Sequence, residues 1–286
     1  MIFDFFIVGG DERLTRMANL LTYKNFNVLG YDLHEKILNK KIKQTNSIKF
    51  ALKNSKNIIC SIPFTKDNIL LSSNDRKIYI KDFMSYISQK NRLFGGKIPS
   101  NILKFCEDKK IFVYDYLKNK QFVVENSIST AEAAIAKAIL QNSVNMHSSS
   151  CLVLGFGNCG KIICSKLKNF CSEVFVCVDD SMQKTWANAY GYYVFGLDSL
   201  RFNIEKFNYV FNTIPKKIFY GEILKNINEN ASILDITGVG ANFLECEEKL
   251  INFKYIAGLP GRFKSISSSK ILTDVTLKII KKIQNI

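Results

Sequence analysis

Histidine is nearly absent from this chain, with only His34 and His147 among 286 residues. Metal sites built on imidazole, and catalysis by a histidine–acid pair, have little material to use. His147 lies among serines and His34 follows a strand-like run, and neither has a carboxylate placed to form such a pair. The eight cysteines, at 60, 106, 151, 159, 164, 171, 177 and 246, include no C-x-x-C pair. That spacing argues against zinc and against a disulfide framework, and for reduced thiols in a cytoplasmic protein. No apolar run approaches the ~20 residues of a membrane helix, so no membrane association is expected. The opening Met1-Ile2-Phe3-Asp4-Phe5-Phe6-Ile7-Val8 has no basic segment before it and soon meets Gly9-Gly10. It reads as a buried strand rather than a signal peptide.

What is present is ordinary globular material. Hydrophobic residues make up 47% and charged residues 23%, and the length allows two domains with a core each. The formal net charge is +15, which suits nucleic acid, an acidic surface or small anions. The lysines are scattered as singles and pairs, such as Lys40-Lys41, Lys109-Lys110, Lys216-Lys217 and Lys281-Lys282. No recognition motif accompanies them, so no nucleic acid partner is expected and a small anion is the better match.

Strand-like and helix-like stretches alternate through both halves, which predicts an α/β fold with parallel sheets. In the first half, strands are expected at Phe3–Val8, Asn27–Tyr31, Asn57–Ile62, Arg92–Phe94 and Ile111–Tyr114. Asp11 can cap a helix to about Tyr23. In the second half they are expected at Cys151–Leu154, Val174–Val178, Tyr192–Phe195, Tyr209–Thr213, Ser232–Ile236 and Tyr255–Ala257. Six strands there match a doubly wound dinucleotide fold. Ser129-Thr130-Ala131-Glu132 reads as a capping box opening an alanine-rich connecting helix, and an amphipathic helix closes the chain. The expected domains are 1–127, joined by a returning helix 269–286; a connecting helix 128–147; and a Rossmann domain 148–268. Two Rossmann-like or flavodoxin-like domains linked by two long helices would hold the active site in a cleft between them.

Gly155-Phe156-Gly157-Asn158-Cys159-Gly160 is a G-x-G-x-x-G run set between an apolar strand and a helix. The next strand ends in Asp179, 19 residues after Gly160. Gly155 permits a tight turn, Gly157 lets backbone amides approach a pyrophosphate, and Gly160 lets helix and strand pack closely. Asp179 stands where a carboxylate accepts from ribose hydroxyls and repels a 2′-phosphate, which favours NAD over NADP. Asn212-Thr213-Ile214-Pro215, at a strand's carboxyl end, either touches the cofactor or is a plain turn. Gly258-Leu259-Pro260-Gly261 reads as a tight loop near the nicotinamide end, or as turn geometry alone. Gly9-Gly10-Asp11-Glu12-Arg13 lacks a third glycine and its acids would repel phosphate. Arg13 there either binds a substrate carboxylate or is a surface arginine. With histidine scarce, acid–base help falls to water, Asp11, Glu132 or the Thr130 hydroxyl.

Taken in order, Val8-Gly9-Gly10-Asp11-x-Arg13, Asn126-Ser127-Ile128-x-Thr130-x-Glu132-x-Ala134-Ile135, the glycine run, Asn212–Pro215 and Gly258–Gly261 resemble the A subunits of dipicolinate synthase from spore-forming bacteria. The resemblance spans essentially the whole chain. It implies an oxidoreductase of the mother cell that converts 4-hydroxy-tetrahydrodipicolinate to dipicolinate with NAD or NADP. Its substrate would be a small dicarboxylate and its partner a flavoprotein; a homo-oligomer is also expected. The chain reads as a divergent member. It has Ser129 where the family has Pro and Ala133 where it has Gly. It has Asp235-Ile236-Thr237-Gly238-Val239-Gly240 for a Ser-(Arg/Lys)-Pro-Gly-Gly loop, and Lys264-Ser265-Ile266-Ser267 for Ala-Pro-Lys-Thr. Asp179-Asp180 stands where many members have Arg-Ser. Two further readings stay open: a related dehydrogenase of another small carboxylate, and a dinucleotide-binding protein without catalysis.

Overall fold

The computed structural model describes residues 2–237, 252–256 and 258–284. They form two units, Met1–Glu125 with Lys264–Ile286, and Asn126–Phe263.

In the first unit the strands are β1 (Phe3–Val8), β2 (Val28–Tyr31), β3 (Lys43–Gln44), β4 (Ser55–Ile59), β5 (Arg92–Gly95) and β6 (Phe112–Asp115). They lie in the order β3-β2-β1-β4-β5-β6, every pair parallel. Helix α1 (Glu12–Tyr23) starts where the Asp11 carboxylate accepts from the Arg13 amide, satisfying a first-turn donor. Its Leu14, Met17, Ala18 and Leu21 are buried against one face of the sheet with Phe5, Ile7 and Ile59. Helices α2 (Ile48–Lys53), α3 (Ile80–Tyr86) and α4 (Ser100–Asp108) complete the alternation. Phe6, Ile58 and Leu93 form the core on the other face. Because both faces are covered, the central strands are apolar throughout rather than alternating.

Helix α5 (Lys120–Gln141) runs from the first unit into the second. The second unit then repeats the plan with β7 (Ser150–Leu154), α6 (Asn158–Leu167), β8 (Glu173–Cys177), α7 (Ser181–Ala189) and β9 (Tyr193–Phe195). It continues through β10 (Tyr209–Asn212), α8 (Gly221–Lys225), β11 (Ser232–Asp235), β12 (Phe253–Tyr255) and α9 (Leu259–Phe263). The sheet order is β9-β8-β7-β10-β11-β12, again parallel throughout. Numbered within its own unit, each sheet reads 3-2-1-4-5-6, the dinucleotide-fold order. The chain is thus α/β with two Rossmann-like parallel sheets, as the alternation predicts. Helix α10 (Ser265–Gln284) belongs to the first unit, where Leu272, Val275 and Ile280 enter the core beside α1.

Several expected boundaries are corrected. The connecting helix does not open at Ser129 but at Lys120, because Phe122 is already buried in the first unit's core and anchors the earlier turn. It ends at Gln141, short of 147. Ser129-Thr130-Ala131-Glu132 is therefore mid-helix and caps nothing. The closing helix starts at Ser265 rather than 269, with the Ser265 hydroxyl bonded to Glu12 and Arg16. The last strand is Phe253–Tyr255 rather than Tyr255–Ala257, since pairing Ile233 with Phe253 buries the phenyl ring. Ala257, Gly238, Val239, Gly240 and Cys246 lie outside the described residues. Gly258–Gly261 is not a tight loop: Gly258 has φ +70° and the chain enters α9 at Leu259.

Candidate dinucleotide site

The glycine run sits where the first two strands of the second sheet end. Gly155 leaves β7 with φ +90°, its amide bonded to the Cys177 carbonyl of β8 at 2.9 Å. A Cβ at Gly155 would meet Thr213 Oγ1 at 2.7 Å and Ile214 Cγ1 at 2.9 Å. A Cβ at Gly160 would stand 2.1 Å from the Gly155 carbonyl oxygen. These two glycines let turn, helix and neighbouring strand close on one another. Gly157 differs: it precedes the first residue of α6, and a Cβ there meets nothing within 4 Å. Open space over a helix start, with first-turn amides that have no partner inside the helix, is what a diphosphate requires.

The residues between the glycines are held from behind. The Phe156 amide donates to Gln183 Oε1 of α7 at 2.9 Å, and its ring is buried. The Cys159 thiol contacts the Ser127 hydroxyl of α5 at 3.4 Å, and burial pushes that thiol's pKa up. Asn158 is exposed. Asp179 is exposed beyond β8, with Oδ1 accepting from the Leu197 amide at 2.8 Å. Its Oδ2 makes no hydrogen bond among the described residues, so one oxygen remains for a ribose hydroxyl. Burial first, and the Asp179 charge second, raise the neighbouring Cys177 thiol to about 12. Asp180 caps α7 by accepting from the Gln183 amide, and so fixes the helix that supports Phe156.

The Asn212 side chain is turned inward. It is fully buried, donates to Asp235 Oδ2 at 3.1 Å, and accepts from the Ile214 amide at 3.0 Å. Asp235, also fully buried, accepts from the Thr237 amide and hydroxyl. This network shapes the turn that aims the Thr213 hydroxyl at the Leu154 carbonyl, 2.7 Å away, and packs it on Gly155. Asn212 thus serves the loop from inside, while Thr213 and the exposed Pro215 border the crevice. Pro260 is buried in α9 and Gly258 is exposed before it. The sequence reading missed Gln183, Ser127 and Asp235, whose partners lie 23 to 32 residues away in the chain. Only the polar residue at each strand or helix end hinted at them.

Of the four residues considered for acid–base or carboxylate chemistry, Asp11 and Arg13 belong to the first unit and Thr130 and Glu132 to the second. Arg13 is 4% exposed, grips both Asp11 oxygens through Nε and Nη2, and donates to the Ile62 carbonyl. A guanidinium so engaged is a clamp on the Gly9-Gly10 turn rather than a free carboxylate receptor. Thr130 is buried and donates to the Asn126 carbonyl one turn back. Glu132 pairs with Lys166 of α6 at 3.0 Å.

Residues 4–117 match the family model for the N-terminal domain of the A subunit of dipicolinate synthase. The A subunit of dipicolinate synthase from Bacillus subtilis is 23% identical over 285 residues, covering 97% of this chain and 96% of that one. Along its whole length the chain is similar to A subunits of dipicolinate synthase. The crystal structure of the Bacillus subtilis protein superposes with a TM-score of 0.81 at 21% identity, covering 100% and 98% of the two chains. That of its counterpart from Bacillus halodurans gives 0.83 at 18%, covering 98% and 99%. More distantly, a transhydrogenase from Sinorhizobium meliloti gives 0.64 at 8%, covering 98% and 94%. The chain therefore shares its fold with these proteins. No described helix is long and apolar enough to cross a membrane, and no described cluster of His, Cys, Asp or Glu could hold a metal.

Proposed function

We propose that the chain is an NAD(P)-dependent oxidoreductase that converts 4-hydroxy-tetrahydrodipicolinate to dipicolinate, with NAD preferred. The observation that carries this is the crevice at Gly155–Gly160, packed tight at two glycines and open at the third. Gly157, Asn158 and Cys159 would hold the diphosphate at the helix start, and Asp179 Oδ2 the adenosine ribose. The dinucleotide, when bound, supplies the hydride acceptor. Loss of one water from the substrate and removal of one hydride and one proton balance the change to the aromatic diacid. Aromatisation makes that transfer downhill, and water would take the proton. A flavoprotein partner and a homo-oligomer belong to the same proposal.

Asp179 repels a 2′-phosphate across a short distance. Asp179→Ala should lower the NAD over NADP preference in kcat/KM by about tenfold or more, near 1.4 kcal/mol.

The test is a coupled assay with freshly generated 4-hydroxy-tetrahydrodipicolinate and NAD or NADP. Reduced nicotinamide and the ultraviolet absorbance of dipicolinate should rise together. Binding of the dinucleotide with neither signal, in the presence and absence of a flavoprotein partner, would reject this substrate. It would favour the second reading, a dehydrogenase of another small carboxylate. One feature already leans that way: Asp235, at the start of the loop where the resembling family has a basic residue, is a buried acid tied to Asn212 and Thr237.

A further inference from the structure

Along α6 the second unit has a concave pocket of about 480 Å³, lined also by Ile128 of α5, Phe156, Tyr190 and Tyr192. It shares Phe156 with the glycine run, but its lining includes none of Gly155, Gly157, Gly160, Asp179 or Thr213. Three aromatic rings build it, with a fourth beside them. Phe156 meets Tyr192 edge-on at 5.6 Å between centroids and Tyr190 at 6.2 Å, and Trp186 stacks on Tyr190 at 5.8 Å. Phe156 and Tyr192 are buried, while Tyr190 and Trp186 are about half exposed. The tyrosines are held in place: Lys168 Nζ donates to the Tyr190 carbonyl at 2.6 Å and lies 4.4 Å over the Tyr192 ring.

The charge in this pocket has one sign in surplus. Lys161 Nζ lies 5.7 Å from the Phe156 centroid and 5.9 Å from that of Trp186. No carboxylate among the described residues pairs with it, and its attraction to the rings is modest. Five residues along α6, Lys166 is shared with Glu132, and the neighbouring Ser165 is exposed. A cation would be repelled here. A flexible aliphatic anion would satisfy Lys161 but leave the rings unused. A planar aromatic ring can pack against the exposed part of Tyr190 and carry its carboxylate to the ammonium. The cavity lies within the size range of small-ligand sites.

We propose that this pocket binds a planar aromatic carboxylate, with one carboxylate on Lys161 and a second group on Ser165 and Lys166. The product of the proposed reaction belongs to that class, so the site would respond to product level; only that consequence rests on the proposed function.

Trp186 is the chain's single tryptophan and touches the pocket's wall, so its fluorescence reports occupancy without turnover. The whole chain is titrated, with excitation at the red edge of tryptophan absorption. The probes are pyridine-2,6-dicarboxylate, benzene-1,3-dicarboxylate, cyclohexane-1,3-dicarboxylate and adenosine monophosphate. Both aromatic dicarboxylates should give saturable changes that persist in saturating NAD, and the cyclohexane compound should give none. Lys161→Ala should weaken binding at least tenfold. Glu132→Gln, which frees Lys166, should strengthen it severalfold, an effect that general damage to the fold would not produce. The proposal is overturned by no saturable change with either aromatic dicarboxylate, or by equal binding of the cyclohexane compound. Binding of the nucleotide alone, full displacement by NAD, or unchanged affinity in Lys161→Ala would overturn it equally. Binding with no dipicolinate formed in the coupled assay would leave this site standing and remove only the proposed reaction.

Discussion

A methyl group added at Gly157 meets open space, whereas one added at Gly160 would stand 2.1 Å from a backbone oxygen that cannot move aside. The two substitutions should therefore fail in opposite ways. Gly160→Ala forces turn and helix apart and should cost roughly 1–3 kcal/mol of stability, the usual range for overpacking. Gly157→Ala should fold as well as the parent, while its new methyl fills the approach a diphosphate needs and weakens dinucleotide binding by about tenfold or more, near 1.4 kcal/mol. Denaturant melts and a dinucleotide titration on both variants separate the effects. Equal stability of the two, or unchanged affinity in Gly157→Ala, would contradict these roles for the two glycines. The glycine run and Asp179 could be read in the sequence because their chemistry is local: a turn, a helix start, a strand end. Arg13 could not be read so easily. Its clamp depends on the Ile62 carbonyl, 49 residues on, and Asn212 turns inward because Asp235 lies on the next strand.

Among the elements, α10 shows how a segment remote in sequence becomes part of a core. Thr276, fully buried on its inner face, donates to the Leu272 carbonyl at 2.7 Å. Its hydroxyl proton is thus committed, so Tyr116, at 2.6 Å and also fully buried, must be the donor between them. The donor order sets the energetics. Thr276→Val leaves a buried phenol without an acceptor and should cost about 1–3 kcal/mol. Tyr116→Phe removes the donor but leaves Thr276 bonded to Leu272, and should cost nearer 0.5–1.5 kcal/mol, about one ordinary hydrogen bond. The double variant should resemble Tyr116→Phe rather than the sum, which denaturant melts of the three can decide. Additive losses would reverse the donor assignment. Periodicity made the central strands legible, since buried parallel strands are apolar runs bounded by turns. It could not reveal β3, two exposed residues paired by backbone alone, nor the true start of α5, which Phe122 sets by burial.

At the scale of the whole chain, the two units share a sheet order and also a punctuation, a glycine turn after the first strand and an acid after the second. In the second unit Asp179 accepts one backbone amide, from Leu197. In the first, the matching acid is Asp32, and its Oδ2 accepts three backbone amides, from Asn74, Asp75 and Arg76, at 2.8, 3.0 and 3.2 Å. The same segment closes over the turn itself: a Cβ at Gly9 would meet Ser73 Cα at 3.1 Å, and the Ser61 hydroxyl ties the Gly9 and Ser72 carbonyls together. Arg76 then lies 5.1 Å over the Tyr31 ring. The first unit has thus covered its own turn with its own backbone. A fold repeated twice should therefore bind one dinucleotide per chain. Calorimetric titration with NAD should give a stoichiometry near one, abolished by Gly157→Arg, which blocks only the second crevice. Asp32→Ala should loosen residues 74–76 to hydrogen exchange without adding a second binding event. Two equivalents on the parent chain, or a residual equivalent in Gly157→Arg, would mean that the strap over the first crevice opens and that the unit still serves as a nucleotide site.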